Sequence, residues 1–359
     1  MATTRAIVNI APGQAEIQDV PVQELEPGYI KVKTTAWAIN PDDVYHLDLE
    51  GEESCEGSIV GSDYAGVVVE VGPGVTRDFK VGDRVAGYVM GQNILRKRDG
   101  AFSHLIVVKG DIQMKIPESM SDVDAATQGV ALGTMGVALY QTLNFPLLDS
   151  SPKESFPFFI YGGSTAMGIS AIQYAKLSGA TVITTSSPAN AEYLRSLGAD
   201  HVLDYKSKTL VEDVLKLTGG PLLHVLDTYP SATSAEISAA VLHKSGDAKY
   251  VSLIPGVEQE VKRLSPSVDA KFILAYSAVG DPWMYENKLF TAVPADFAFQ
   301  KKFVVVAERL FEEGLVKPPR VFLNGGGSGL EGVLKGLDES RQGRVSGGKL
   351  VYTREEDLD

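Results

Sequence analysis

The sequence predicts an α/β protein with a six-stranded, doubly wound parallel sheet and a second domain built as a small β-barrel. Three observations predict it. From Phe156 onward, continuous apolar runs of strand length alternate with helix-length segments that end in Gly. Strands that apolar are buried on both faces, as in a parallel sheet covered by helices. Over the first 120 residues, short β-branched runs are instead separated by Gly and Pro, the pattern of a small barrel. The length, 359 residues, exceeds what one core usually supports, so two domains are expected.

The elements follow in order. YIKVKTTAWAI alternates, YAGVVVEVG is Val-rich and closed by Gly72, Pro73 and Gly74, and VGDRVAGYVM, AFSHLIVV and MKIP continue the strands. Ser121-Asp122-Val123-Asp124 opens a helical stretch, and GTMGVALYQTL holds a second helix. The run from Ala125 to Leu148 carries no charge and is long enough to cross a bilayer. Gly133, Gln141, Pro146 and other polar or breaking residues interrupt it, so a helix buried between two domains is expected, not a membrane span. Asp149 to Glu154 reads as a polar loop.

Then FPFFIYGG is a strand, AMGISAIQYAKLSG a helix ending at Gly179, ATVITTSS a strand and ANAEYLRSLG a helix ending at Gly198. HVLDY and LVEDVLKLTG repeat the pattern to Gly219, and LLHVLDTY, AKYVSLIP and KFILAYSA are the last three strands. Six strands suit a doubly wound dinucleotide fold. After about Asp281 come a helix over Lys301 to Glu313, a strand PRVFLN, a helix to Arg341 and a strand GKLVYT. These do not extend the alternation and are expected to return to the first domain. The expected division is 1–127 with 286–359 for the barrel domain, and 128–285 for the nucleotide domain.

Composition excludes several functions. Acidic residues outnumber basic ones by 46 to 33, a net charge of −13, whereas a nucleic-acid binder needs a basic face. The single cysteine, Cys55, excludes a disulfide framework and a multi-cysteine zinc site, and fits a reducing, cytoplasmic setting. The start, MATTRAIVNIAPGQ, lacks the apolar core of a signal peptide. None of the five histidines falls in an H-E-x-x-H or similar ligand spacing, so no metal is expected.

The strongest chemical signal is Tyr161-Gly162-Gly163-Ser164-Thr165-Ala166-Met167-Gly168, after a strand and before a helix. Gly at such a turn lets the backbone approach a pyrophosphate, which free N–H groups at the helix start then hold. Thr165 stands where a G-x-G-x-x-G loop has its middle Gly. The next strand ends in Thr184-Thr185-Ser186-Ser187-Pro188-Ala189-Asn190, without the acid that usually holds an NAD ribose. Hydroxyls and a Pro-started helix turn there favour a 2′-phosphate, hence NADP(H); plain N-capping by Ser187 is the simpler alternative. Tyr205-Lys206 could flank the adenosine phosphate, or Lys206 could be a solvated charge. Asn324 to Gly329 is Gly-rich but reads as a turn, too near the C-terminus to begin a nucleotide domain.

These residues resemble the medium-chain dehydrogenase/reductase superfamily, over nearly the whole chain. The likeness is carried by Ala38-Ile39-Asn40-Pro41-Asp42-Asp43, Gly61-Ser62-Asp63-Tyr64-Ala65-Gly66-Val67-Val68, Val81-Gly82-Asp83-Arg84-Val85, the Gly162 loop and Leu197-Gly198-Ala199-Asp200-His201-Val202. It implies a GroES-like catalytic domain and a Rossmann domain. Zinc alcohol dehydrogenases carry G-H-E where this chain has Gly61-Ser62-Asp63, and their structural-zinc cysteines are absent here, so the chain resembles the zinc-free branch. Within it, the chain looks most like fungal trans-acting enoyl reductases of polyketide synthases. These share Y-G-G-S-T-A in the cofactor loop, V-S-L-N-P (here Val251-Ser252-Leu253-Ile254-Pro255) and a Pro/Ser-rich segment like Asp149 to Glu154.

By position, the resemblance implies that Asp42, Asp43, Val44 and Tyr45 meet the cofactor. So do Ser164, Thr165, Ala166 and Met167; Ser187, Pro188, Ala189 and Asn190; and Tyr205, Leu253, Ile254, Ser346 and Gly347. Ala131, Leu132, Thr134 and Met135, with Leu274, Ala275, Tyr276, Ser277 and Ala278, line the substrate and nicotinamide cleft. Tyr45 departs from the family's N-P-S-D-x-K, which has Lys there; quinone oxidoreductases have Tyr. The implied reaction is NADPH-dependent reduction of an α,β-unsaturated polyketide thioester on a synthase's acyl carrier, with Tyr45 and Thr134 as catalytic donors. A stand-alone quinone or enone reductase and a double-bond isomerase stay open. A carrier partner would need a basic surface, for which Arg96-Lys97-Arg98 is a candidate, with a plain solvated cluster of loop charges as the equal alternative. A monomer is expected, with neither nucleic acid nor membrane as partner.

Overall fold

The computed structural model describes residues 2–148 and 154–354. Most of the expected loop from Asp149 to Glu154 therefore lies outside the described residues. The chain divides into two units, Met1–Gly133 with Ala275–Asp359, and Thr134–Leu274.

The first unit begins with an antiparallel hairpin of β1 (Thr3–Ala11) and β2 (Gln14–Pro21). Then come β3 (Tyr29–Ala38), α1 (Pro41–Leu47), β4 (Asp63–Val71), β5 (Arg84–Tyr88), β6 (Leu105–Lys109) and β7 (Met114–Lys115). Alternation in β3 and β4 buries one face in a core around Trp37, Tyr64, Phe102 and Tyr352. The helix α2 (Asp122–Ala125) starts where Ser121 caps Asp124 N. The charge-free run forms α3 (Gly129–Met135) and a π-helical continuation, Gly136–Thr142. It is largely buried, and among the described residues no helix is long and apolar enough to cross a membrane.

The second unit alternates β8 (Phe156–Tyr161), α4 (Ala166–Leu177), β9 (Ala180–Ser186), α5 (Ala191–Ser196), β10 (His201–Asp204), α6 (Leu210–Thr218), β11 (His224–Asp227), α7 (Ala232–Val241), β12 (Lys249–Ser252), α8 (Val257–Leu264) and β13 (Asp269–Phe272). The strands pair in parallel in the order β10-β9-β8-β11-β12-β13, the doubly wound arrangement. The core on one side joins Phe159, Ile183, Val225 and Tyr250 to Leu210, Val214 and Val261 of the helices.

Two features differ from the expectations for this unit. The strand read as KFILAYSA stops at Phe272, because its neighbour β12 ends at Ser252, the register partner of Phe272. The following Ala275–Ala278 turns into a 3-10 helix instead. Helices α7 and α8 are additional to the expected elements, although α8 carries acids in its first turn and bases in its last. The capping partner of Ser231 is Ser234 rather than Glu or Gln, and α7 is built mostly of Ala and Ser.

The chain then returns to the first unit. A short hairpin, β14 (Trp283–Tyr285) and β15 (Lys288–Phe290), turns at Glu286 and Asn287, both at positive φ. The long helix α9 (Pro294–Glu312) starts a full seven residues before the expected Lys301, with Pro294 in its first turn. Next come β16 (Arg320–Leu323), α10 (Gly329–Arg341) and β17 (Gly348–Thr353). The sheet of this unit runs β16-β17-β3-β4-β5-β7, with β6 also on β3. The Gly-rich stretch Asn324 to Gly329 is a turn, with Asn324, Gly326, Gly327 and Gly329 at positive φ.

Candidate active site

In the nucleotide unit, the parallel register aligns the strand ends. Asp204 pairs with Ser186, Asp227 with Tyr161, and Ser252 with Asp227. The Gly162 loop, Ser187 to Asn190, Tyr205, Leu253 and Ile254 thus all follow strands at one carboxyl edge. In open α/β sheets this edge is where ligands bind. Gly162 has φ +88°, and a Cβ on Gly163 would sit 2.2 Å from Thr184 Oγ1. A Cβ on Gly168 would meet Gly162 O at 2.4 Å, so this glycine packs α4 against the loop.

Thr165, the departure from G-x-G-x-x-G, caps α4: its hydroxyl accepts from Gly168 N and donates to Thr228 Oγ1, both at 2.9 Å. The cap leaves the first-turn N–H groups of Ala166 and Met167 beyond the reach of intrahelical bonding. This backbone cradle fits a pyrophosphate. Ser187 makes no capping bond to the 3-10 turn Pro188–Asn190, contrary to the simpler alternative. Pro188, Ala189 and Tyr205 are exposed, and Lys206 Nζ lies 5.5 Å from the centre of the Tyr205 ring.

In the other unit, α1 carries Asp42, Asp43, Val44 and Tyr45. Asp43 is buried and accepts the Asn40 N–H at 2.7 Å, closing the start of the helix. Ser62 Oγ is 3.0 Å from Asp43 Oδ1 and 3.2 Å from the Tyr276 hydroxyl. The Tyr276 hydroxyl in turn donates to Asp42. Burial, with Asp42 and Asp63 nearby, pushes the Asp43 carboxyl up to about 8. Asp63 is fully buried and accepts from Asn40 Nδ2 at 3.0 Å, Val130 N at 2.6 Å and the Lys349 ammonium. Ser62 and Asp63, the departures from G-H-E, are both tied into hydrogen bonds within this unit. Among the described residues, no group of three or more His, Cys, Asp or Glu could hold a metal ion.

Tyr45 is 43% exposed and donates its hydroxyl to Glu286 at the tip of the β14–β15 hairpin. Its ring stacks on Tyr285 with centroids 6.2 Å apart. Partial burial and the Glu286 carboxylate raise its phenol to about 12. Tyr45 is thus held as a neutral hydrogen-bond donor. Ala131, Leu132, Thr134 and Met135 are all buried on α3. Ala275 O accepts from Tyr88, and Ser277 donates to Asp296 at 2.6 Å, so part of the expected substrate segment is committed to internal bonds. Leu274 is half-buried; Ser346 and Gly347 lead into β17, Ser346 exposed and Gly347 buried at φ +70°.

The expected basic surface is depleted. Arg96 is paired with Glu26 and Asp99, and Lys97 Nζ donates to Glu56 O. The sequence reading missed Glu286 and Lys349. Glu286-Asn287 is not one of the Asn-Gly or Asp-Gly pairs that mark a tight hairpin, so no sequence signal pointed to Glu286. A lone Lys in the apolar strand GKLVYT, buried in the fold, calls for a carboxylate partner.

Comparison with known proteins agrees with this architecture. Residues 26–118 match the alcohol dehydrogenase GroES-like domain, and residues 166–293 match the zinc-binding dehydrogenase domain. The trans-enoyl reductase resD of Aspergillus sclerotiorum is 36% identical, over 97% of this chain and 99% of that protein. The trans-enoyl reductase ACTTS2 of Alternaria alternata is 39% identical over 98% and 99%. Solved structures share the fold. CurK enoyl reductase matches with a TM-score of 0.75 at 20% identity, over 98% of this chain and 100% of that one. A Pseudomonas syringae pv. Tomato DC3000 quinone oxidoreductase matches with a TM-score of 0.74 at 22% identity, over 98% and 100%.

A GroES-like unit joined to a six-stranded dinucleotide sheet defines the medium-chain dehydrogenase/reductase class. The chain belongs to that superfamily, in the family of the fungal trans-enoyl reductases.

Proposed function

We propose that the protein is an NADPH-dependent enoyl reductase that acts in trans on an α,β-unsaturated polyketide thioester carried by a synthase. The observation that carries the reading is the full-length likeness to trans-enoyl reductases, 36–39% identical over 97–98% of the chain in two of them. The backbone cradle from Gly162 to Gly168 and the acid-free, hydroxyl-lined end of β9 support NADPH as cofactor.

The bound nicotinamide would supply a hydride to the β-carbon. Ala166 and Met167 N–H groups hold the pyrophosphate. Ser187, with Pro188, Ala189 and Asn190, receives the 2′-phosphate, beside Tyr205. Reduction makes the thioester carbonyl enolate-like, and Tyr45 and Thr134 are the proposed donors to that oxygen. With its phenol raised to about 12, Tyr45 is a poor source of the α-carbon proton, and its one hydroxyl proton reaches the oxyanion only by turning away from Glu286.

The test is substrate form. NADPH oxidation with enoyl-pantetheine or carrier-bound enoyl chains, and little with small free enones or quinones, is expected. Activity confined to free enones or quinones would overturn the reading.

A further inference from the structure

The α-carbon needs a proton, and the donor is unassigned. The chain Asp43–Ser62–Tyr276–Asp42 offers one, by proton counting. It has three links: Asp43 to Ser62 at 3.0 Å, Ser62 to Tyr276 at 3.2 Å, and Tyr276 to Asp42. Each link needs one proton between its two oxygens. With both carboxylates ionised, Ser62 donates to Asp43 and Tyr276 donates to Asp42. Neither hydroxyl then has a proton for the Ser62–Tyr276 link, and two buried oxygens face each other unbridged. One further proton, on Asp43 Oδ1, satisfies all three links in a single direction. The other carboxyl oxygen, Oδ2, is already an acceptor of Asn40 N–H. Asp43, Ser62 and Tyr276 are 1%, 2% and 3% exposed, whereas 27% of the Asp42 side chain is accessible, so the chain opens only at Asp42.

We propose that Asp43, Ser62, Tyr276 and Asp42 form a proton relay that stores one proton on Asp43 and releases it at Asp42. This rests on the enoyl-reductase reading, in which the released proton completes reduction at the α-carbon. In the transfer, Tyr276 gives its proton to Asp42, Ser62 gives its own to Tyr276, and Asp43 gives its own to Ser62. Asp42 then yields one proton to the enolate carbon, where a C–H bond forms. Asp43 is left as a carboxylate and is reloaded from solvent through the same chain.

The surrounding charges favour storage. On α1, Asp42 flanks Asp43, and His46 Nδ1 lies 3.6 Å from Asp42. On β4, Asp63 adds a second negative neighbour, and Asp63 itself holds Lys349 of β17. Burial and these carboxylates keep Asp43 protonated up to about pH 8.

Two variants of the full-length protein test the relay. Asp43→Asn keeps an acceptor for Asn40 N–H and a donor for Ser62 but has no proton to give. Tyr276→Phe cuts the chain in the middle. Infrared difference spectra between about pH 6 and about pH 10 read the Asp43 carboxyl without any turnover. A protonated-carboxyl band that titrates near 8, is lost in Asp43→Asn and is kept in Tyr276→Phe, is expected. With NADPH and an enoyl-pantetheine, both variants should lose about a hundredfold in kcat with little change in KM, the low end of what a positioned acid contributes. The wild-type loss of rate above about pH 8 should vanish in Asp43→Asn and return in Asp43→Glu.

Absence of the titrating band overturns the relay whether or not the protein reduces thioesters. Unchanged kcat in either variant also overturns it. A present band with no turnover on any enoyl thioester, by contrast, sinks the enoyl-reductase reading and with it the assigned use of the proton.

Discussion

Asp63 shows how a single buried carboxylate can organise a site. It joins the start of α1 through Asn40, the start of α3 through Val130 N, and β17 through Lys349. Both members of the Asp63–Lys349 pair are almost wholly buried. Removing one member leaves the other charged and unpaired in a low-dielectric interior. Lys349→Met is expected to cost about 3–5 kcal/mol, read as a lower midpoint in urea unfolding. A change within about 0.5 kcal/mol, typical of surface sites, would show that the pair does not anchor these elements.

Asp43 adds a pH dependence of stability with a definite sign. Its folded carboxyl lies near 8, above the ordinary 3.8, so the native state binds its proton more tightly. That contribution is complete below about pH 4 and is lost as pH rises through about 8. Residue names alone revealed little of this. Asp43 stood out in sequence as a cofactor residue and Ser62 as a departure from G-H-E, not as hydrogen-bond partners, and Tyr276 stood in a presumed strand. Their association depends on two segments more than 200 positions apart.

At the scale of elements, legibility followed period and punctuation. Strands β8 to β12 were readable because parallel strands buried on both faces leave continuous apolar runs. Gly179, Gly198 and Gly219 marked helix ends, and all three adopt positive φ. The β14–β15 hairpin was not readable, since three-residue strands are too short to show alternation. It matters nonetheless, because its tip holds Tyr45. The end of β9 makes a clean test of cofactor choice. Ser187 makes no capping bond, so a carboxylate there should change ribose recognition more than folding. Ser187→Asp is expected to shift the NADPH-to-NADH affinity ratio at least tenfold toward NADH, about 1.4 kcal/mol. An unchanged ratio would place the 2′-phosphate elsewhere.

Over the whole molecule, a net charge of −13 sets conditions for any partner. Arg96 is spent on Glu26 and Asp99, which removes the first residue of the basic run Arg96-Lys97-Arg98. An acidic carrier would thus meet long-range repulsion that salt screens. Fold class was legible because two different periodicities divide the chain. The paired donors of the candidate site were not, because hydrogen-bond partners such as Tyr45 and Glu286 are set by tertiary packing.

The central claim is NADPH-driven reduction of an enoyl thioester. The most direct measurement is fluorescence titration with NADPH and NADH, followed by mass analysis of an enoyl-pantetheine incubated with the enzyme and the tighter cofactor. Tighter binding of NADPH, and a product heavier by two hydrogens formed one-for-one with oxidised cofactor, is the result this account requires. Preference for NADH, or a product of unchanged mass with no cofactor oxidised, would contradict it.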